Sequence, residues 1–133
     1  MRCASIAPTS AYRCRDGSYV LIAANADSIF RRLCTAMGRA DLAADPELAH
    51  NDGRAARQAW LDVEIERWTA ERAPSAVLAT MEAAEVPASR IFSIADIVAD
   101  PHYAEREMIR SIALPGGRQL KVPGVVPRLS ATP

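Results

Sequence analysis

The chain has no net charge and no long apolar run, and these two absences exclude whole classes of function. Its 133 residues carry 16 basic and 16 acidic side chains, which leaves a formal net charge of zero. Nucleic-acid binding needs a concentrated positive field, and no basic stripe supplies one, so we expect no nucleic-acid partner. No apolar run approaches the roughly 20 residues that cross a bilayer, and the N-terminus does not read as a signal-peptide core. We therefore expect no membrane partner.

Cysteine and histidine are too sparse to predict a metal centre. Cys3, Cys14 and Cys34 are an odd number of cysteines without metal-ligand spacing. Reduced thiols in a cytoplasmic protein are the simplest interpretation, and Cys34 falls on the apolar face of a predicted helix, where packing outweighs reactivity. His50 and His102 are far apart in the sequence, so they do not form a closely spaced pair of ligands. These patterns assign no metal ligand and no catalytic residue.

What is present is a globular composition with a strand–turn–strand–helix unit near the N-terminus. Half of the residues are hydrophobic and 24% are charged, which is typical of an ordered domain. Residues 11–15 and 18–24 read as strands joined at Asp16-Gly17, a dipeptide suited to a type I′ turn. The second strand contains three consecutive apolar residues, so we expect it to be covered on both faces. A helix then follows, with Asn25 or Asp27 as its cap and Gly38 at its end.

Helices dominate the middle of the chain. Residues 41–50 predict a short helical turn, and Asn51 can cap a long helix that runs to about residue 72. Its apolar stripe consists of Leu61, Ile65 and Trp68, with Trp60 and Val63 alongside. A further helix begins near Pro74, and residues 86–88 end it and lead into a short extended segment through Phe92.

The C-terminal part returns to short helices and strands. Ser93 predicts a cap for a helix over 94–99, and Asp100-Pro101 begins another turn. Residues 108–114 and 118–122 read as strands around Pro115-Gly116-Gly117. We predict an α+β fold with a small, mainly antiparallel sheet made of strands from both chain ends, and about four to six helices between them. The predicted divisions are a lead-in (1–10), a domain (11–122) and an extended proline-rich tail (123–133).

The order of these segments is similar to a known family. Residues 8–25, P-T-S-A-Y-R-C-R-D-G-S-Y-V-L-I-A-A-N, resemble the start of the small domain of class III coenzyme A transferases, also called the CaiB/BaiF family. Each piece alone is common, but the order of the pieces over almost the whole chain is specific. The resemblance continues through residues 30–34, 42–46, 68–69, 86–88, 99–102, 106–109, 115–117, 122–124 and 127–130.

The resemblance implies a function shared between two domains. In this family a large Rossmann-like domain binds CoA and carries an aspartate that attacks an acyl-CoA thioester, before CoA passes to an acceptor carboxylate. Related racemases of 2-methylacyl-CoA use the same scaffold, and family members are usually interlocked homodimers. Nothing in this chain corresponds to the large domain, since there is no glycine-rich coenzyme fingerprint. We expect the chain alone to be inactive, with coenzyme A as the family substrate rather than a cofactor held here.

The resemblance also gives one candidate substrate-binding segment. Ala23, Ala24 and Asn25 align with a loop that borders the acyl pocket in relatives, where Ala24 replaces a frequent glycine. The alternative is a strand end and helix cap without further role. Three hypotheses remain open: a wall of the acyl-CoA pocket in a larger transferase, a separate binding module for acyl-CoA or a protein, and a self-associating remnant. A fragment and an independent product beginning at Met1 also remain alternatives, as do transferase and racemase.

Overall fold

The computed structural model describes residues 6–126. The chain divides into two compact units, Met1–Ile91 and Phe92–Pro133. The first contains β1 (Thr9–Arg13), β2 (Tyr19–Ala23), α1 (Asp27–Ala36), α2 (Ala40–Ala44), a 3-10 turn (Pro46–Leu48), α3 (Asn51–Ala56), α4 (Gln58–Ala70), α5 (Pro74–Ala83) and β3 (Ala88–Arg90). The second contains α6 (Ile94–Ala99), α7 (Pro101–Glu105), β4 (Ile109–Ala113) and β5 (Gln119–Pro123). The predicted α+β class is confirmed.

The strands form two antiparallel sheets instead of the single sheet that we expected. In the first unit β2 lies between β1 and β3, with Leu21 opposite Ala11 on one side and Ser89 on the other. In the second unit β4 and β5 pair with each other, Ser111 opposite Lys121. The difference arises because β3, predicted only as an extended segment, already occupies the second edge of β2.

The hairpin between β1 and β2 turns at the predicted place but not by a type I′ turn. Cys14 N–H donates to the Ser18 carbonyl at 2.8 Å, and Gly17 N–H donates to the Cys14 carbonyl at 3.0 Å. Gly17 has a φ of +85°, whereas Asp16 has no positive φ. This is a three-residue loop with glycine in the left-handed region. The Asp16 carboxylate accepts hydrogen bonds from Ser18, which lower the pKa of Asp16.

Two apolar clusters form the core of the first unit, and α1 lies between them. Leu33 and Met37 pack with the buried face of β2 and with α5. Phe30 and Cys34 pack with the cluster that contains Leu42, Leu48 and Leu61. The expectation that β2 is covered on both faces was wrong, because its residues alternate between buried and exposed positions.

Hydrogen bonds fasten the sheet to α4. Tyr12 Oη donates to Asp62 Oδ1 at 2.7 Å, and Thr69 Oγ1 donates to the Arg13 carbonyl at 2.8 Å. Burial of Tyr12, together with its acidic partner, raises the pKa of its hydroxyl. These bonds fix β1 against the helix that carries the predicted apolar stripe, of which Leu61 and Ile65 are buried.

Several helix boundaries differ from prediction. The long helix divides at Arg57 (φ −111°, ψ 17°) into α3 and α4, so seven α-helices replace the expected four to six over residues 6–126. Ala26 is the cap residue of α1, and neither Asn25 nor Asp27 caps it. The predicted end at Gly38 is confirmed: its φ is +74°, and Arg39 N–H donates to the Cys34 carbonyl in a Schellman motif.

The second unit has well-formed local structure but no buried residue between positions 92 and 126. The predicted cap Ser93 forms a capping box with Asp96, and Asp100 caps α7. Pro123, predicted as the start of the tail, is the last residue of β5. Residues 124–126 continue without helix or strand, and the remainder of the predicted tail, residues 127–133, lies beyond the described residues. The division into lead-in, domain and tail stays a prediction.

Within the described part of the chain, no helix is both long and apolar enough to cross a bilayer.

Candidate functional site

The three candidate residues lie where β2 ends and α1 is about to begin. Ala23 is half-buried, Ala24 is completely buried and Asn25 is exposed. Ala24 N–H donates to the Pro8 carbonyl at 2.9 Å, and Ala23 N–H donates to the Pro87 carbonyl at 2.9 Å. Because Ala24 is buried in the first apolar cluster, its side chain belongs to the core. Of the three candidate residues, Ala23 and Asn25 have side chains that a ligand could contact. We call residues 23–27 the β2–α1 loop.

A buried arginine, absent from the sequence-based site, lies directly beneath this loop. The Arg54 side chain is 0% exposed. Its Nε donates to the Ala7 carbonyl at 3.0 Å, and one terminal nitrogen donates to the Leu48 and Ala49 carbonyls at 2.9 and 3.1 Å. The other terminal nitrogen donates to the Asn25 carbonyl at 2.6 Å. One guanidinium thus connects three separate chain segments.

The same nitrogen of Arg54 also binds the first residue of α1. Asp27 Oδ1 accepts from it at 2.8 Å, and Asp27 Oδ2 lies 2.9 Å from His50 Nδ1. The hydrogen bond from Arg54, followed by that from His50, holds the pKa of Asp27 below its usual range. Asp27 is therefore an ionised partner of a buried cation, and it occupies the first position inside α1, one residue after the cap position at Ala26.

Close packing of α3 against the 3-10 turn places Arg54 at this position. A Cβ on Gly53 would lie 1.8 Å from the Glu47 carbonyl oxygen, so only glycine permits this approach. Asp45 caps the turn by accepting from Glu47 N–H at 2.8 Å. On its other side, the guanidinium carbon of Arg54 lies 4.9 Å from the centre of the Phe30 ring, a distance at which a cation–π contact is favourable.

The sequence itself indicates that Arg54 is buried, although Arg54 belongs to none of the motifs described above. Position 61 lies seven residues after position 54, and position 65 lies four residues after position 61, so a continuous helix would place all three on one face. Leu61 and Ile65 are apolar. A charged residue on an apolar stripe is expensive to bury unless it is fully paired. Such a position indicates a buried ion, but its partners are distant in sequence and could not be named.

The described residues show how the loop is built and offer little that could attack a thioester. Burial raises the pKa of the Cys14 thiol and raises that of Cys34 to about 12, so both thiols stay protonated and unreactive. Among residues 6–126, no group of three or more His, Cys, Asp or Glu side chains could hold a metal ion. A shallow surface depression of about 400 Å³ lies along α1 and the end of α5, lined by Arg31, Arg32, Thr35, Ala83, Ala84 and Glu85, and does not include the loop.

Comparison with known proteins decides the family. The model for CoA-transferase family III matches residues 2–133. The chain belongs to CoA-transferase family III. It is 41% identical over 129 residues to succinyl-CoA–D-citramalate CoA-transferase from Chloroflexus aurantiacus, covering 97% of this chain and 32% of that protein. It is 37% identical over 126 residues to succinyl-CoA:mesaconate CoA-transferase from Haloarcula hispanica, covering 94% and 31%.

A solved structure supports the same assignment for this family III chain. The crystal structure of a CaiB/BaiF family protein from Brucella suis matches with a TM-score of 0.75 and 32% identity, covering 97% of this chain and 32% of that one. The chain therefore spans about a third of the length of the family members that it matches. It corresponds to a small part of a class III CoA-transferase, as the resemblance implied.

Proposed function

We propose that this chain walls the acyl-CoA pocket of a class III CoA-transferase, an enzyme that moves CoA from an acyl-CoA to a carboxylic acid. The observation that carries the proposal is the match of 97% of this chain to about a third of a CoA-transferase, 41% identical over 129 residues. The remaining two-thirds of a family chain would supply the nucleophile and the CoA site. The corresponding part of an acyl-CoA racemase is the alternative, and no observation on this chain favours it.

Within this proposal the loop has a structural role in the pocket. Ala23 and Asn25 would form the wall, with a small side chain and an amide accessible to the acyl group, while Ala24 would hold the backbone to the core. The chain would contribute no catalytic residue, and CoA would enter as substrate. A cytoplasmic location is part of the proposal, supported by Cys14 and Cys34, which are free and buried.

The names of the relatives suggest a substrate class. Two relatives are named for transfer from succinyl-CoA, one to D-citramalate and one to mesaconate. Both named acceptors are small dicarboxylic acids. We propose succinyl-CoA as donor and a small dicarboxylate as acceptor.

An exposed apolar surface supports a partner of the proposed kind. On the outer sheet face, β2 presents the apolar residues Tyr19, Leu21 and Ala23 beside Ala11 of β1, with Tyr19 46% and Leu21 39% exposed. The other exposed positions in register with them are polar, namely Thr9, Arg13 and Ser89. A solvated sheet face usually alternates to polar residues, and contiguous exposed apolar surface marks an interaction site. We propose that this face contacts the rest of the transferase and causes self-association of the 133-residue chain when that part is missing.

A chimera tests the function. The segment of this chain that matches the Chloroflexus enzyme over 129 residues would replace its counterpart there, and CoA transfer from succinyl-CoA to D-citramalate would be followed by chromatography. We expect transfer by the chimera and none by the isolated chain. A correctly folded, dimeric chimera without transfer would contradict the proposal, and so would turnover by the pure isolated chain.

A paired variant tests the pocket wall. Ala23→Trp in the chimera places a large side chain at the proposed wall and should raise KM for succinyl-CoA. Ala104→Trp is the matched control on an exposed position of α7. Equal KM values for the two variants would show that Ala23 does not face the acyl group.

A further inference from the structure

We propose that Arg54 is the positioning residue of the β2–α1 loop, so that the loop's geometry is set by this buried guanidinium. As a statement about the acyl-CoA pocket, this inference rests on the proposed function. As a statement about the loop, it stands on contacts within the first unit.

Arg54 holds the β2–α1 loop by two hydrogen bonds from one nitrogen, and we call this pair of bonds the clamp. One terminal nitrogen of Arg54 binds both the Asn25 carbonyl at 2.6 Å and Asp27 Oδ1 at 2.8 Å. These two acceptors lie at either side of Ala26, the cap residue of α1. A single group therefore fixes the backbone before the helix and the side chain of its first residue.

The remaining bonds of the guanidinium attach that clamp to the body of the unit. Arg54 Nε holds the Ala7 carbonyl, and the neighbouring Pro8 carbonyl accepts from Ala24 N–H. Ala7 N–H in turn donates to Asn51 Oδ1 at 3.1 Å. The segment before β1 thus supports the loop from one side and is itself held by two residues of α3.

The choice of arginine follows from the number and direction of these acceptors. Four backbone carbonyls and one carboxylate surround a side chain that is 0% exposed. Only a planar guanidinium offers five donors in a fixed fork, whereas lysine offers a single rotating ammonium group. Without the guanidinium, backbone carbonyls in three chain segments lose the hydrogen bonds that they accept from Arg54. The β2–α1 loop is then no longer hydrogen-bonded to α3.

Hydrogen exchange in the 133-residue chain measures the clamp directly. The probes are the amides of Ala24 and Phe30, which donate to the Pro8 and Ala26 carbonyls, and the reference is the amide of Val77 in α5. In Arg54→Lys we expect protection of the two probes to fall ~10- to 100-fold, the equivalent of losing one hydrogen bond to a charged group, with the reference changed much less. Arg54→Met should have a larger effect in the same direction.

A destabilised control separates positioning from general stability. Ile65→Ala removes a buried side chain from the apolar cluster that contains Leu33 and Met37. It should lower the protection of all three amides together. A cavity variant can also be rescued: in Arg54→Ala, millimolar ethylguanidinium should restore protection of the two probes selectively. If Arg54→Lys keeps wild-type protection at Ala24 and Phe30, or lowers it only in parallel with Val77, the inference is wrong.

The chimera connects the clamp to catalysis. There Arg54→Lys should raise KM for succinyl-CoA or lower kcat by ~10-fold or more, because small misplacements at a substrate site are costly. An inactive parent chimera would contradict the proposed function while leaving the exchange result standing. Loosened probes with unchanged kinetics would overturn the role of the loop in the pocket.

Discussion

Replacing Gly53 by alanine should destabilise the first unit, although alanine is the better helix former. Gly53 lies inside α3, where alanine would ordinarily add up to ~1 kcal/mol of stability. The new Cβ would, however, lie 1.8 Å from the Glu47 carbonyl oxygen and 3.0 Å from its carbon. Both are backbone atoms, so a side-chain rotation cannot relieve the contact.

Displacement of the 3-10 turn would also weaken hydrogen bonds of Arg54. Leu48 is completely buried, and the carbonyls of Leu48 and Ala49 accept from Arg54 at 2.9 and 3.1 Å. Overpacking in such sites costs ~1–3 kcal/mol, and a weakened bond to a charged donor adds ~1.5–3 kcal/mol. After the helix gain is subtracted, we expect a net loss of ~3 kcal/mol.

Urea denaturation followed by circular dichroism measures this free energy of unfolding. Gly38→Ala is the matched control, because its Cβ would meet nothing within 4 Å although its φ is +74°. That variant should lose only the ~1 kcal/mol that a left-handed residue with a side chain costs. If Gly53→Ala is as stable as wild type, or loses no more free energy of unfolding than Gly38→Ala does, then α3 does not pack closely against the 3-10 turn as described.

Three further predictions concern single side chains. Glu85→Gly should stabilise the chain by up to ~1 kcal/mol, because Glu85 has a φ of +52° that glycine adopts without strain, while the exposed ion pair with Arg32 that is lost contributes little; thermal melting measures the change. Asp27→Asn should lower the free energy of unfolding at neutral pH, because the pKa of Asp27 is lower in the folded state than in the unfolded chain. The stability that ionised Asp27 contributes is fully present above the usual carboxyl pKa of ~4. It is lost as the pH falls through the lower pKa of the folded state. Cys14 and Cys34 should resist iodoacetamide in the native chain, because both are buried with raised thiol pKa values, as mass spectrometry of digests can establish.

Each of these predictions has its own control. Glu82→Gly, inside α5, should destabilise where Glu85→Gly stabilises, and the same sign for both would contradict the left-handed assignment. For Asp27→Asn, a stability difference from wild type that is constant between pH 7 and pH 3 would refute the ionised pairing. For the cysteines, denaturant should make both thiols reactive, and native labelling at either would show that it is not enclosed.

Much of the local structure follows from nearby residues, and the prediction succeeded where this was so. Gly38 ends α1, Ser93 and Asp100 cap α6 and α7, and glycines turn both hairpins, because each of these depends on a few adjacent positions. Prediction failed where a distant partner changed the outcome. Asn25 or Asp27 was expected to cap α1, but the cap position is Ala26, and the Asp27 carboxylate binds a guanidinium 27 residues away.

The sequence by itself determined the α+β class, most helices and strands, and membership of a family through the order of its segments. The tertiary structure decided which of the candidate residues are accessible, since Ala24 lies in the core while Ala23 and Asn25 do not. It also decided what holds them, namely Arg54 and its contacts with Ala7, Asn25 and the turn before α3. The physical reason is that local patterns fix backbone conformation, whereas a buried charge must find its hydrogen-bond partners wherever the fold brings them.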